Sequence, residues 1–227
     1  HPVAHSFPTR RSSDLPLYRL PVIELSQGAA NRYFSITLGD DRWLLWTQGP
    51  RLGPAVLFWP LLALLLPMAL ILARTRLTPL GPLAWFLLGI GLTQAPPVGG
   101  LLVVLWLLAL GARARWGENW GRWRFNLSQI GLVLFSLLAL VTLFAALREG
   151  LLGNPVMQVA GNGSSGQHLH WYSDASLADA PGIAVWSAPL WVYRVLMLAW
   201  ALWLAFALLD WLRWGWQCLG SGGFWRP

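Results

Sequence analysis

Lysine is absent from this chain, cysteine occurs once, and acidic residues are scarce: in 227 residues, 16 arginines face 9 aspartates and glutamates. Charged residues make up only 11% of positions, where a soluble domain carries about 25%. That deficit excludes an ordinary water-soluble fold. The lone Cys218 excludes an internal disulfide and a cysteine-rich metal site. No base-bearing residue lies near it in sequence, so it reads as an inert thiol and not a nucleophile. The familiar catalytic signatures are missing too: no H-E-x-x-H, no G-x-S-x-G, no P-loop, and no pair of acids within an apolar run. The chain is therefore not expected to be an enzyme or to hold a cofactor.

What is present is apolar, at 56% hydrophobic residues with 17 tryptophans. The net charge of +7 sits mostly in short loops and tails beside apolar runs. That placement argues for membrane orientation and against nucleic-acid binding, which wants a basic face on a soluble fold. The organising stretch is 113–124, where four arginines and three tryptophans lie between two long apolar runs. Loops of membrane proteins on the cytoplasmic side collect arginine, and tryptophan prefers the headgroup level.

Residues 6–15 read Ser-Phe-Pro-Thr-Arg-Arg-Ser-Ser-Asp-Leu, which looks like a translated sequencing-library adapter. With His at position 1, this suggests a truncated reading frame, so residues 1–15 are set aside from fold reasoning. Residues 16–54 read as the end of a β-rich periplasmic domain. Phe34, Ile36 and Leu38 alternate with Tyr33, Ser35 and Thr37, the period of a half-buried strand. Gly39-Asp40-Asp41 then supplies a turn before 43–47, which predicts a hairpin. A weaker strand over 17–25 is demoted by Pro21.

Residues 55–147 are read as four transmembrane helices. The first, 55–73, is uncharged and reaches about 28 Å; Pro60 and Pro67 are tolerable in a membrane helix. Arg74 and Arg76 follow it at once. Segments 77–94 and 98–112 form a tight hairpin through Ala95-Pro96-Pro97. The second of these reaches only about 22 Å, which leaves full crossing and re-entry both open. The fourth is 127–147. Residues 148–189 make a periplasmic loop in which 161–166 reads as the tip of a second hairpin. The fifth helix, 190–209, ends in a second aromatic and basic girdle at 210–216 and leads into a cytoplasmic tail, so that 190–227 is the last segment. Arg74, Arg76, Arg113, Arg115, Arg122, Arg124, Arg213 and Arg226 fall on one side, against Arg51 and Arg148 near the other. Five crossings then put the N-terminus outside and the C-terminus inside.

The remaining polar residues offer little chemistry. The 161–166 stretch matches G-x-G-x-x-G, but no helix starts after it, so no dinucleotide site is expected. His168 and His170 share one strand face, with Asp174 and Asp179 nearby. Two histidines do not make a metal site, and none is expected. Arg194 lies one turn inside the fifth helix at its outer end, where pairing with Glu149 is the expectation, ahead of a proton relay. Thr93, Gln94, Ser128 and Ser136 are the polar groups a transport path would have to gather. The outer pieces 32–47 and 156–186 are expected to fold as one cap, because neither covers its own apolar face.

At Trp85-Phe-Leu-Leu-Gly-Ile-Gly-Leu-Thr-Gln94, Arg122-Trp-Arg-Phe-Asn-Leu-Ser-Gln129, Gln158-Val-Ala-Gly-Asn-Gly-Ser-Ser165 and Tyr193-Arg-Val-Leu-Met-Leu-Ala-Trp-Ala-Leu-Trp203, the chain resembles the C-terminal membrane region of uncharacterised proteobacterial inner-membrane proteins. The resemblance covers most of residues 30–225. It implies a large envelope protein with a periplasmic β-rich part ahead of the membrane region, and it transfers no catalytic residues. The expected fold class is therefore mainly α and integral to the membrane: a bundle of about five transmembrane helices with a small extracytoplasmic β-rich cap. The expected role is structural or interactive, with the lipid bilayer and an envelope protein docked on the outer loop as partners. The alternative is a transporter or permease-like subunit working through the hairpin at 77–112.

Overall fold

The structure, a computed structural model, describes residues 17–19, 32–116, 121–155, 157–173, 182–221 and 223. Of the described residues about 61% are helical. The chain divides into two compact units: His1–Trp59 with Val156–Tyr193, and Pro60–Pro155 with Arg194–Pro227.

The described residues of the first unit form seven short strands in three antiparallel sheets: β1 (Leu17–Arg19), β7 (Ala184–Pro189) and β3 (Arg42–Gln48) in that order, then β2 (Arg32–Thr37) with β6 (His168–Ser173), and β4 (Ala55–Val56) with β5 (Val159–Ala160). Both outer pieces thus join one unit, as the uncovered apolar faces required. The two local hairpins do not form as expected. The turn closes, with Arg42 N donating to Gly39 O at 3.1 Å, yet β2 pairs with β6 and β3 with β7. Likewise the 161–166 tip leads from β5 to β6, which take β4 and β2 as their partners. A local ladder would leave each apolar face open, whereas interleaved pairing turns all of them onto one core. The long loops this requires cost little extra, since closure entropy grows only logarithmically with length.

Register makes that core. Phe34 stands opposite Trp171 and Ile36 opposite Leu169, so the alternation in β2 meets a matching alternation in β6. Leu38, Leu44, Val56, Met157, Ile183 and Val185 complete the cluster. Burying each aliphatic side chain contributes about 1.5–3 kcal/mol. Trp171 fits only because Gly49 and Gly53 lie against it; a Cβ on Gly49 would stand 2.5 Å from the indole Nε1, and one on Gly53 would overlap the ring. A bulge between Leu44 and Trp46 of β3 takes Leu45 out of the ladder. Its carbonyl instead accepts the Trp59 indole N–H at 2.8 Å.

Among the described residues, the other unit holds most of five helices: α1 (Phe58–Arg74), α2 (Pro82–Leu92), α3 (Pro97–Trp116), α4 (Arg122–Leu152) and α5 (Leu190–Gly220). Of these α3, α4 and α5, with 20, 31 and 31 residues, are long and apolar enough to cross a membrane, while α1 and α2 are shorter apolar helices. The boundaries differ from expectation in all five helices: α4 runs Arg122–Leu152 where 127–147 was expected, and α5 continues to Gly220, through the 210–216 girdle, where 190–209 was expected. Residues 55–56 are strand, so α1 starts at Phe58. The run at 77–94 yields only 11 helical residues, because Pro79 and Pro82 disfavour helix in the residues before them and Pro82 sits at the first turn. The run at 98–112 extends to Trp116, through Arg113 and Arg115.

This unit packs through small residues and indoles. Trp106 of α3 donates to Ser136 Oγ of α4, and Trp200 of α5 to Leu87 O of α2, both at 2.8 Å. Gly91 leaves room for the Trp200 ring and Gly150 for the Met197 methyl. Outward, Leu134, Leu137, Val141 and Phe144 of α4 and Val195, Leu202, Phe206 and Leu209 of α5 are exposed. Inward, among the described residues of this unit, Arg113, Asn126 and Gln129 are buried. An outer surface this apolar, with the few buried polar groups turned inward, is what hydrocarbon, not water, selects.

Candidate functional site: the basic end of the helical unit

Four helix ends are drawn together by specific contacts. Gly111 of α3 presses on the Leu77 carbonyl just after α1, with no space for a side chain there. Arg76, in a left-handed conformation at φ +52°, makes the turn that sets Leu77 in place. Arg113, further along α3, is only 1% exposed. Its guanidinium lies 4.2 Å from the centroid of the Phe125 ring at the start of α4, and Nη2 donates to Ser221 O at 3.1 Å. Gln129 Nε2 donates to Leu219 O at 2.8 Å, and Ser221 Oγ donates to the Cys218 carbonyl at 2.8 Å. The terminal carbonyls of α5, which have no intrahelical partner, are thus capped from α3 and α4. A cation at that end also meets the negative pole of the helix.

The topology-setting arginines split accordingly. Arg74, Arg76, Arg115, Arg122 and Arg124 are exposed, whereas Arg113 is buried. Its burial was legible in principle, because Val103, Trp106, Leu107, Leu110 and Arg113 recur at helical spacing and share the buried stripe.

The expected pairing of Arg194 with Glu149 is not formed. Both side chains are exposed, and the salt bridge found among the described residues joins Arg213 to Asp210 at 3.7 Å. An exposed ion pair contributes at most about 1 kcal/mol, too little to draw two long side chains together. The polar groups that a transport path would have to gather are engaged locally: Thr93 Oγ1 donates to Ile90 O, Ser128 Oγ to Phe125 O and Ser136 Oγ to Leu132 O. Gln94 Nε2 donates to Thr93 Oγ1 at 3.3 Å.

In the strand unit His168 and His170 do share a face. His168 Nδ1 is 3.4 Å from Thr37 Oγ1, and His170 stacks on Tyr33 with ring centroids 5.6 Å apart. Among the described residues no group of three metal-binding side chains exists; Asp174, Asp179 and Val156 lie outside them. The 161–166 tip covers the free edge of β6, with Ser164 Oγ accepting from His170 N at 3.0 Å and Ser165 Oγ from His168 N at 3.1 Å.

One feature of the helical unit is not evident from sequence. An open groove of about 460 Å³ runs along α5, walled by Trp203, Phe206, Trp211 and Trp214 together with Pro79 and Ala84, and Asp210 lies on its lining. As a linear string, the same tryptophans read only as an interface girdle.

No protein family matches the chain, and no curated protein or solved structure is significantly similar to it.

Proposed function

We propose that the chain is a multi-pass protein of the bacterial inner membrane that anchors its β-rich unit on the periplasmic side, in a structural or interaction role and without a reaction of its own. The observation that carries this is the gathering of basic helix ends in a unit whose outer surface is apolar. Arginine on the cytoplasmic side then sets the N-terminus out and the C-terminus in. The helices α3, α4 and α5 cross, and α1, at about 26 Å, is just long enough to do so. At about 16 Å, α2 spans half a hydrocarbon core. It serves as one arm of a hairpin that returns to the end it left, since Leu77 lies against Gly111. The resemblance to proteobacterial inner-membrane proteins supports the same reading. The bilayer is one partner, and the face around the 161–166 tip is the place for an envelope protein to dock.

The experiment is substituted-cysteine labelling in a Cys218→Ala background. Gly121 and Gly166 are exposed, and a side chain at either meets nothing within 4 Å, so Gly121→Cys and Gly166→Cys should fold normally. A membrane-impermeant maleimide should modify Gly166→Cys in intact spheroplasts and Gly121→Cys only after permeabilisation. The reverse pattern would overturn the orientation. The transporter alternative, resting on the short α2 arm, requires water to reach mid-helix polar groups; rapid modification of Ser136→Cys by a small aqueous thiol reagent would favour it over anchoring.

A further inference from the structure

We propose that the aromatic groove on α5 is a binding site for a phospholipid with a primary-amine headgroup, of the phosphoethanolamine type, drawn from the surrounding bilayer. This rests on the membrane reading of the helical unit given above. Trp203, Ala207, Asp210 and Trp214 follow one another at helical spacing, so they form one stripe along α5. Trp211 meets Trp203 edge to face at 6.1 Å between centroids and makes a rigid second wall. At about 460 Å³ the groove falls within the range that small ligands occupy.

Charge selects the occupant. Tryptophan faces attract ammonium groups, and Asp210 is the one acidic residue on the lining. An amine lying in the groove would meet both. Arg213, one turn on, is bonded to Asp210 at 3.7 Å, and the two side chains are 77% and 78% exposed. Such a pair is weakly held and easily exchanged. A zwitterionic headgroup offers the exchange partner for each member: its ammonium goes to the Asp210 carboxylate and its phosphate to the Arg213 guanidinium, each as a charge-assisted hydrogen bond. An anionic headgroup without an amine would satisfy Arg213 but leave its negative charge beside Asp210. The acyl chains have a path as well. Leu202, Phe206 and Leu209 lie at i, i+4 and i+7 and are 56%, 71% and 55% exposed, an apolar strip continuous with the groove. Under the proposed orientation this part of α5 approaches the inner headgroup level, where tryptophan is favoured.

The test uses the full chain purified in detergent, stripped of lipid, and titrated with phosphatidylethanolamine or phosphatidylglycerol of matched acyl chains, with retained lipid counted by native mass spectrometry. Wild type should bind the amine lipid up to about fivefold more tightly, the size of one exposed ion pair. Asp210→Asn should bring the two lipids level, and Asp210→Glu should restore the preference. Equal binding of the two lipids by wild type overturns the assignment, as does an unchanged preference in Asp210→Asn. Either result leaves the labelling of Gly121→Cys and Gly166→Cys untouched, so failure of the site and failure of the membrane reading are separately visible.

Discussion

Substituting Gly53 by alanine should loosen the strand unit through a single contact. The added methyl would fall within the Trp171 indole, a ring that is 1% exposed and held between β2 and the Gly49–Gly53 segment. Neither partner can yield freely. Trp171 stands opposite Phe34 in the β2–β6 ladder, and the Gly53 carbonyl lies 2.6 Å from where a Cβ of Gly161 would be, on a residue at φ +110°. Overpacking of this kind costs about 1–3 kcal/mol. In amide hydrogen exchange of the full chain in detergent, β2 and β6 should then exchange roughly 5- to 150-fold faster, while α4 should be unchanged. Trp171→Ala alone leaves a cavity and should also destabilise, by ~3–5 kcal/mol. Combined with Gly53→Ala, the methyl enters the space left by the ring, so the double variant should be more stable than the sum of the two changes by about 1 kcal/mol. Strict additivity, or wild-type exchange in Gly53→Ala, would refute the packing argument.

Two further changes probe the helical unit. Arg113→Lys should be less stable than Arg113→Met, since the ammonium keeps the burden of a buried charge but loses the planar fork to Ser221 and the stacking on Phe125, together about 2–4 kcal/mol; thermal unfolding in detergent that ranks Lys equal to wild type would contradict this. Arg194→Leu should leave protein level and Gly166→Cys labelling within error of wild type, because the side chain is exposed and joins no ion pair among the described residues. A drop of several-fold in either would show that Arg194 has a role beyond surface anchoring.

Periodicity is a property of the local chain, and what depends on it is legible in the amino-acid order alone. The alternation at Phe34, Ile36 and Leu38 determined which face of β2 turns inward. The uncharged runs determined α3, α4 and α5, and the arginines at 74, 76, 113, 115, 122 and 124 marked a common end. The prolines at 79 and 82 carried enough information to shorten α2, since each disfavours helix in the residue before it even within an apolar run. Choice of partner is a different matter, because it compares surfaces far apart in sequence. Gly39-Asp40-Asp41 and the 161–166 tip each carry turn chemistry, and locally each favours a hairpin. Only in the folded unit does pairing β2 with β6 and β3 with β7 cover Leu169 and Trp171 as well, and that larger burial outweighs the local ladder. The same holds for charge. As a string, the six basic residues look equivalent, but Arg113 shares a stripe with Trp106 and Leu110 and therefore goes inside, where Phe125 and the end of α5 receive it. Asp210 and three tryptophans spread along α5 become a groove only once the segment carrying Pro79 and Ala84 lies beside them.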